Sequence, residues 1–460
     1  MAAVAVSSEI GAGCGQHPPA TRGRPLWGPL LLFVLVLLAH SLSRVSQSCD
    51  SMWSVQISLS MVRQRNTDLD EYREAVLSGP RYVYAIVNGH IYSSYPIGTP
   101  LLAAPMVYAI DLVMRQLCLA FPRVEGLLRS LRHERVECVD AASLHGPVEI
   151  IVASFIVALT TVLMYFIGRQ FLSQRHSFLL ACVFAFCTPA WSTASRALWQ
   201  HGPSMLMLAT ALLILLLARG RPYLAQFASL PLAFSFVVRP TNALSIVGLT
   251  LYVAVRHRKY LLQYLAWSLL VVVPFVWYNL LLYHSPIPPY FSPQKVGASA
   301  HLLEGLVGNL VSPARGLFVF CPVLAFSIWG MIMSAKARHD RLLPLILIGV
   351  VVSHWFVISS FPDWHGGHSF GPRYFTDVVP FLVYFMIPVA ARFSETSGSL
   401  RNWLLSLFVL LVAASLLINL NGAVNKATYL WNSVPTDIDK TPRRLWDWTD
   451  LQFLRGLSRR

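Results

Sequence analysis

Apolar runs separated by short polar links make up most of the chain. A membrane-crossing helix needs about 20 consecutive apolar residues, and runs of about this length recur along the sequence. They lie at 27–45, 147–167, 177–194, 202–218, 225–238, 241–255, 261–283, 314–334, 342–361, 377–393 and 402–420. The pattern predicts an all-α membrane protein, a bundle of roughly eleven transmembrane helices.

Arginine and lysine residues gather in the links between these runs, and they orient the chain. All of the basic links can face the cytoplasm if 225–255 is a hairpin with the apex Arg239-Pro240-Thr241-Asn242. The segment 1–26 is then a cytoplasmic tail, 27–420 the transmembrane domain and 421–460 a non-cytoplasmic tail. Because no clear small-residue cleavage site follows the first run, we interpret it as an uncleaved helix.

The segment 46–146 separates the first two runs and is predicted to lie on the non-cytoplasmic side. Within it, the apolar run 98–119 contains prolines and is interrupted by Asp111 and Arg115. These features argue against a full crossing, and helices lying in the membrane interface fit the pattern better. We therefore expect a long first outer loop with interfacial helices.

The composition agrees with a membrane protein and narrows the function classes. Hydrophobic residues make up 55% of the chain and charged residues 12%, whereas soluble domains carry about a quarter charged residues. The net charge of +15 comes from the links between apolar runs, so nucleic acid is not an expected partner. Cys118 and Cys138 share one loop, and they either form a disulfide or remain two thiols.

An aspartate, Asp50, follows the first apolar run by a few residues. A lone acid there costs free energy unless it is paired or functional. As a functional group it would be a general base that takes a proton from an attacking hydroxyl; the alternative is an ion pair for helix packing. Asp68, Asp70 and Glu71 form a loop cluster that is either solvated and helix-capping or a set of oxygen ligands for a divalent metal.

The segment 363–374, Asp-Trp-His-Gly-Gly-His-Ser-Phe-Gly-Pro-Arg-Tyr, is the densest polar cluster in the chain. Its glycines let the backbone approach a ligand closely, and Arg373 with His365 or His368 would neutralise a phosphate. The two histidines could also bind a metal, but no further ligand lies at a recognisable spacing. We therefore favour a phosphate contact over a metal site.

Further candidates for substrate contacts lie in other predicted outer segments. Arg239 interrupts an apolar stretch and needs either an acidic partner or a phosphate. Arg196 and His201, in the turn between the third and fourth runs, would suit an anionic or polar headgroup. Tyr95 begins a turn that enters a helix start, where a phosphate or a sugar hydroxyl could bind. Lys295, in a proline-rich loop, is a candidate phosphate contact.

These motifs resemble those of the GT-C glycosyltransferase superfamily, including protein mannosyltransferase-like and aminoarabinose transferase-like enzymes. The acid after the first span and the long first outer loop carry the resemblance, which covers most of the chain. Tyr-Pro-Ile-Gly-Thr-Pro-Leu-Leu from Tyr95 is similar to the Pro-Pro-Leu-type motif of bacterial members. The Arg-Pro-Thr-Asn hairpin and the Gly-Pro-Arg-Tyr before a late span are similar as well.

The resemblance implies inverting transfer of a sugar from a polyprenyl-phosphate donor to a lipid, glycan or protein acceptor. The reaction would occur on the non-cytoplasmic face of a bacterial plasma membrane or the endoplasmic reticulum. Asp50 matches the family's first-loop acid and would be the base. Many members have a second acid directly after it; Ser51 stands there in this chain, so Asp68 or Asp70 supplies the second carboxylate, or none does.

Three further expectations concern the cofactor, the second candidate function and the contacts of the donor phosphate. No cofactor is certain, and a divalent metal remains an open alternative. A transporter or flippase of lipid-linked sugars is the second candidate function, and it would place polar groups through the bilayer midplane in repeated halves. The expected contacts of the donor phosphate are Arg239, His365, His368 and Arg373.

Overall fold

The computed structural model describes residues 27–48, 50–121, 141–142, 144–291, 301–395 and 397–457. Most of the described chain is helical, and its two strands, β1 (Tyr84–Val87) and β2 (His90–Ser93), form one antiparallel hairpin. The helices are α1 (Trp27–Ser41), α2 (Ser54–Arg63), α3 (Arg73–Ser78), α4 (Gly98–Ala120), α5 (His145–Gly168), α6 (Gln174–Phe186), α7 (His201–Leu217), α8 (Ser229–Val238), α9 (Ala243–Arg256), α10 (Leu261–Tyr283), α11 (Leu302–Val311), α12 (Leu317–Phe320), α13 (Ala325–Lys336), α14 (Leu342–Ser359), α15 (Val379–Tyr384), α16 (Met386–Glu395), α17 (Ser399–Val424) and α18 (Lys426–Leu430).

Six helical segments of the described chain are long and apolar enough to cross a membrane. They are Gly98–Ala120, His145–Gly168, Arg258–Tyr283, Leu342–Ser359, Arg373–Phe393 and Ser399–Val424. The other predicted spans correspond to apolar helices below this length, such as Trp27–Ser41 and His201–Leu217. The structure thus has the helical membrane bundle that the sequence predicts, with six helices of full spanning length where we predict roughly eleven spans.

Helix α4 covers the segment of the first outer loop where the sequence predicts interfacial helices. The segment 98–119 forms one continuous helix that is long and apolar enough to cross a membrane, and its placement in the interface stays a prediction. Its first proline lies in the first turn, where the missing N–H has no helical partner to lose. Asp111 is buried and forms ion pairs with Arg63 of α2 (2.6 Å) and with Arg115 (3.1 Å). These contacts neutralise the charges inside the apolar run, and α4 packs chiefly along α2.

Helices α8 and α9 form a hairpin whose apex contains Arg239. The Trp267 indole of α10 donates to the Gln226 side chain, just before α8, over 3.2 Å. The hydroxyls of Tyr264 in α10 and Thr250 in α9 lie 2.8 Å apart. The first half of α10 therefore contacts the beginning of α8 and the end of α9. The apex of the hairpin, with Arg239, lies at the other end of the bundle, level with the end of α10.

At the end of the bundle that holds Asp50, the C-terminal segment 425–457 packs against the loop 360–372. The buried Arg315 donates to the Gln452 side chain (2.9 Å) and to the His365 carbonyl (2.7 Å). These bonds join the link after α11 to both segments. The loop that leads to Arg373 is therefore fixed from two sides.

Candidate functional site

A cavity of about 510 Å³ lies at the Asp50 end of the bundle. Its walls come from the link after α1, the β-hairpin, the α8–α9 apex, the end of α10 and the loop before α15. This volume lies within the range of about 300–1,000 Å³ that is typical of small-molecule sites. The charged residues in the lining are Asp50, Arg239, Asp363 and Arg373. The tyrosines in the lining are Tyr82, Tyr92, Tyr95, Tyr278, Tyr283, Tyr290 and Tyr374.

Asp50 lies in the turn that leads into α2, and its side chain is 23% exposed. The carboxylate accepts hydrogen bonds from the Tyr95 hydroxyl (2.9 Å) and from the Arg373 guanidinium. Burial acts to raise the pKa of Asp50, but the charge and hydrogen bond of Arg373, together with the Tyr95 bond, outweigh it. The pKa of Asp50 therefore lies below its ordinary value, and the carboxylate is ionised at neutral pH.

Arg373 is held in place on several sides. Its guanidinium stacks on the Trp199 indole at 3.6 Å from the ring centroid and donates to the Gly366 carbonyl over 3.1 Å. Its Nε donates to Nε2 of His201 over 3.3 Å. A desolvated cation–π contact contributes up to about 2 kcal/mol. Trp199, which by sequence is a candidate membrane-interface anchor, thus positions the arginine that pairs with Asp50.

A buried polar chain continues from Arg373 into the bundle. His201 and Asp377 have fully buried side chains, and Nδ1 of His201 lies 3.0 Å from Oδ1 of Asp377. Since Nε2 of His201 accepts from Arg373, its proton is on Nδ1 and is donated to Asp377. Nε of Arg239 lies 2.7 Å from Oδ2 of Asp377. These contacts form a chain that connects two arginines of the cavity wall to two carboxylates. It runs in the order Asp50, Arg373, His201, Asp377, Arg239.

The two candidates for a second carboxylate, Asp68 and Asp70, lie in the loop before α3 and are not part of the cavity lining. Asp70 forms ion-pair contacts with Arg73 (2.9 Å) and His90 (2.6 Å). Thr67 does line the cavity. This loop therefore provides part of the wall, while its acids bond within the loop and to the β-hairpin.

His365 and His368 face the C-terminal segment and are not part of the cavity lining. Nε2 of His368 lies 3.3 Å from Asp437, and Nδ1 of His365 accepts the N–H of Gly367 over 3.2 Å. Burial and the charge of Arg315 lower the pKa of His365 to about 4, so this ring is neutral at pH 7. The structure places both histidines where they fasten the loop before α15, outside the cavity that Arg239 and Arg373 line.

Arg196 is fully buried and contacts backbone carbonyls. Its guanidinium donates to the carbonyls of Ser43 (2.8 Å), Trp191 (3.2 Å) and His40. It ties the end of α1 to the link before α7, which is a structural role and differs from the expected substrate contact. Lys295 lies outside the described residues, as does Cys138 of the open disulfide question.

Two groups of side chains in the described chain bring at least three potential metal ligands within 4.8 Å of one another. They are Asp68 with Asp70 and His90, and His368 with Asp437 and Asp439. Neither group contains Asp50. The divalent metal that the sequence leaves open therefore has no such ligand set around the expected base within the described residues.

Sequence analysis does not single out Asp377, although a signal for it exists. It lies at the start of the apolar run 377–393, and an ionisable residue inside an apolar run indicates function. Glu149 gives the same signal in the run 147–167. They are the acids inside the predicted spans, and both lie close to Asp50 or its partners.

Two apolar grooves border the cavity. One of about 400 Å³ lies between α2, α4, α8 and α10, and it shares Thr67, Ile97, Phe275 and Tyr278 with the cavity wall. The other, of about 380 Å³, lies between α8, α9 and α10 and also includes Phe275. An elongated apolar group can therefore lie next to the polar cavity.

Solved structures of the oligosaccharyltransferase of Archaeoglobus fulgidus are similar to this chain. The structure tethered to an acceptor peptide with the NVT sequon has a TM-score of 0.53 at 12% identity, over 93% of this chain and 60% of its own. The apo form has a TM-score of 0.51 at 11% identity, over 94% and 61%. The complex with an inhibitory peptide and a dolichol-phosphate has a TM-score of 0.50 at 12% identity, over 93% and 60%.

The likeness concerns the fold, since the identities are low and the chain spans about 60% of the length of these neighbours. No protein-family model matches the sequence, and no curated protein is significantly similar to it. The chain has the fold of these GT-C membrane glycosyltransferases, as the resemblance in its motifs predicts.

Proposed function

We propose that the protein transfers a sugar from a polyprenyl-phosphate donor to an acceptor hydroxyl, with inversion at the sugar carbon and Asp50 as general base. One observation carries the proposal: an ionised carboxylate lies in the cavity wall and is bonded to an arginine that also lines the cavity. A hydroxyl bound beside Asp50 can give up its proton as it attacks. The leaving phosphate would then meet arginines already in position.

Arg239 and Arg373 are the groups that suit the donor phosphate. Each lines the cavity and each is paired with one carboxylate, Asp377 and Asp50 respectively. A guanidinium has five donors in a planar fork, so it can keep its carboxylate and still bind phosphate oxygens. When the donor phosphate shares Arg373, less of that charge acts on Asp50, and the carboxylate becomes a stronger base.

The cavity and its grooves match the other parts of a polyprenyl-phosphate sugar. The polyprenyl chain fits the apolar groove that shares Ile97, Phe275 and Tyr278 with the cavity. The sugar fits the tyrosine-lined part, where aromatic rings offer an apolar face and hydroxyls offer hydrogen bonds. The dolichol-phosphate bound by the archaeal neighbour supports a lipid-linked donor here.

The reaction is a direct displacement. The acceptor oxygen forms a bond to the anomeric carbon as its proton passes to Asp50. The bond from that carbon to the phosphate oxygen breaks, and its electron pair leaves with the polyprenyl phosphate. Arg239 and Arg373 stabilise the charge that develops on the leaving phosphate, and the bound geometry replaces a bimolecular encounter. The products are the glycosylated acceptor, polyprenyl phosphate and a protonated Asp50, which returns its proton to water.

The acceptor is a lipid, a glycan or a protein, and the charge pattern of the links supports a cavity on the non-cytoplasmic face. The acceptor peptide tethered to the archaeal neighbour supports an acceptor partner for this chain as well. A localisation in a bacterial plasma membrane or in the endoplasmic reticulum agrees with this topology.

The proposal is tested by incubating purified protein in liposomes with labelled sugars on a panel of polyprenyl phosphates, with a membrane extract as acceptor. Formation of labelled product with the inverted anomeric configuration is the expected result. Movement of the labelled lipid between leaflets without transfer would refute the proposal and favour a flippase. Retention of configuration would refute the direct displacement.

A further inference from the structure

Glu149, in the first turn and a half of α5, is a buried acid that the proposed reaction does not use. Its side chain has no exposed surface. Among the residues that the structure describes, it makes no ion pair with a basic side chain, although a buried carboxylate is costly without compensating partners. Its partners are two serine hydroxyls and a backbone N–H, which raises the question of what this arrangement achieves.

The two serines lie on either side of Asp50. The Ser48 hydroxyl donates to Oε1 of Glu149 over 3.0 Å, and the Ser51 hydroxyl donates to Oε2 over 3.1 Å. One carboxyl group therefore holds the chain both before and after Asp50. Ser51 is itself buried, so its hydroxyl has little access to water as an alternative partner.

The third bond reaches the other side of the Asp50 ion pair. Oε2 of Glu149 accepts the N–H of Leu198 over 3.4 Å. Leu198 precedes Trp199, whose indole stacks on the Arg373 guanidinium. Glu149 is thus bonded to the segment that carries the base and to the segment that supports its arginine partner.

We infer that Glu149 is a positioning residue for Asp50, which fixes the carboxylate relative to Arg373 through Ser48, Ser51 and Leu198. Ser51, the residue directly after the proposed base, is bonded to a carboxyl from another helix. The inference rests on the proposed function, because it concerns the same base.

The size of the effect follows from how sensitive a positioned group is to displacement. A shift of about 1 Å in a reacting group costs on the order of 100-fold in rate. In Glu149→Gln the amide nitrogen cannot accept a hydrogen bond, so one side of the carboxyl loses its acceptor. We expect kcat to fall between about tenfold and 100-fold, while the donor KM stays within about twofold because the phosphate contacts remain.

The test compares Glu149→Gln, Ser51→Ala and their double variant in the transfer assay. Both single variants are expected to lower kcat without changing the donor KM, and the double variant is expected to fall no further than the worse single variant. Ser51→Thr keeps the hydroxyl and should restore most of the activity. Thr160→Val is the matched control, since Thr160 is buried on the same helix and bonds to the Ile156 carbonyl.

Hydrogen exchange of the amides of residues 48–54 provides a readout that does not depend on transfer, and it should become faster in Glu149→Gln. Wild-type kcat in both single variants, unchanged exchange in this segment, or an equal loss in Thr160→Val would each overturn the inference. Absence of transfer by the wild type would refute the proposed function instead. The exchange measurement would then still show whether Glu149 fixes the segment that contains Asp50.

Discussion

Replacing Arg373 with glutamine removes the group that keeps Asp50 ionised. Burial, the largest influence on Asp50, acts to raise its pKa, and the charge and hydrogen bond of Arg373 are the chief opposing causes. Without the arginine, we expect the pKa of Asp50 to rise. Because the base must be deprotonated to act, the acidic limb of the kcat profile should move to higher pH.

The size of the loss follows from the contacts of Arg373. Removal of one partner from a buried ion pair costs about 3–5 kcal/mol, and the lower end applies since the side chains of Arg373 and Asp50 are 11% and 23% exposed. That free energy is lost from folding stability and should lower Tm. The fall in kcat comes from the lost donor to the leaving phosphate and is on the order of 100-fold.

The assay is the initial rate of sugar transfer from pH 4 to pH 9 at saturating donor. Arg444→Gln is the matched control, because Arg444 is also buried, stacks on Trp431 at 4.2 Å and pairs with Asp450 at 3.2 Å. The control should lower thermal stability without moving the acidic limb. An unchanged acidic limb and kcat in Arg373→Gln would refute the assignment of Asp50 as the base that Arg373 keeps ionised.

Two further predictions concern the surroundings of the site. Asp377→Asn leaves Arg239 buried without its carboxylate, so we expect a loss of about 3–5 kcal/mol, visible as a lower Tm in detergent; an unchanged Tm would contradict the ion pair. The pKa of His365 lies at about 4, below its ordinary value of 6.5, so the unfolded state takes up the proton first as the pH falls. The contribution of His365 to stability is then full above pH 6.5 and declines towards pH 4 by up to about 3 kcal/mol. His365→Gln should flatten this decline when Tm is measured against pH. An equal dependence of Tm on pH in both proteins would contradict the lowered pKa of His365.

Much of the site was visible in the sequence as separate candidates. Asp50, His201, Arg239 and Arg373 each stand where an apolar run begins or ends, and a bundle of antiparallel helices brings such ends to the same level. The sequence could not show how they pair, because pairing depends on helix packing. Asp377, which lies between His201 and Arg239, was missed for this reason, although its place inside an apolar run was a signal.

Arg196 also shows that the sequence does not determine which way a side chain points. By sequence it resembles His201, five residues later, since both are polar residues at the edge of an apolar run. In the structure its guanidinium points towards the end of α1 and contacts backbone carbonyls. The difference comes from the direction of one side chain on a short link, which composition and periodicity do not determine.

The helical bundle follows from hydropathy, whereas the continuity of α4 does not. Its first proline lies in the first turn, where it does not break a helix, Pro105 lies inside the helix, and Asp111 is compensated by Arg63 and Arg115. Arg63 lies 48 positions earlier in the chain, so this compensation is not visible from the local pattern. The partners of a charge inside an apolar run therefore have to be found in the packed structure.

The central claim is that Asp50 takes the proton from the acceptor, and the most direct measurement compares wild type with Asp50→Asn. Both proteins would be given a labelled polyprenyl-phosphate sugar, with donor binding and single-turnover transfer measured on the same samples. The account predicts that Asp50→Asn binds the donor and stays folded but loses nearly all transfer. Transfer at the wild-type rate by Asp50→Asn would contradict it.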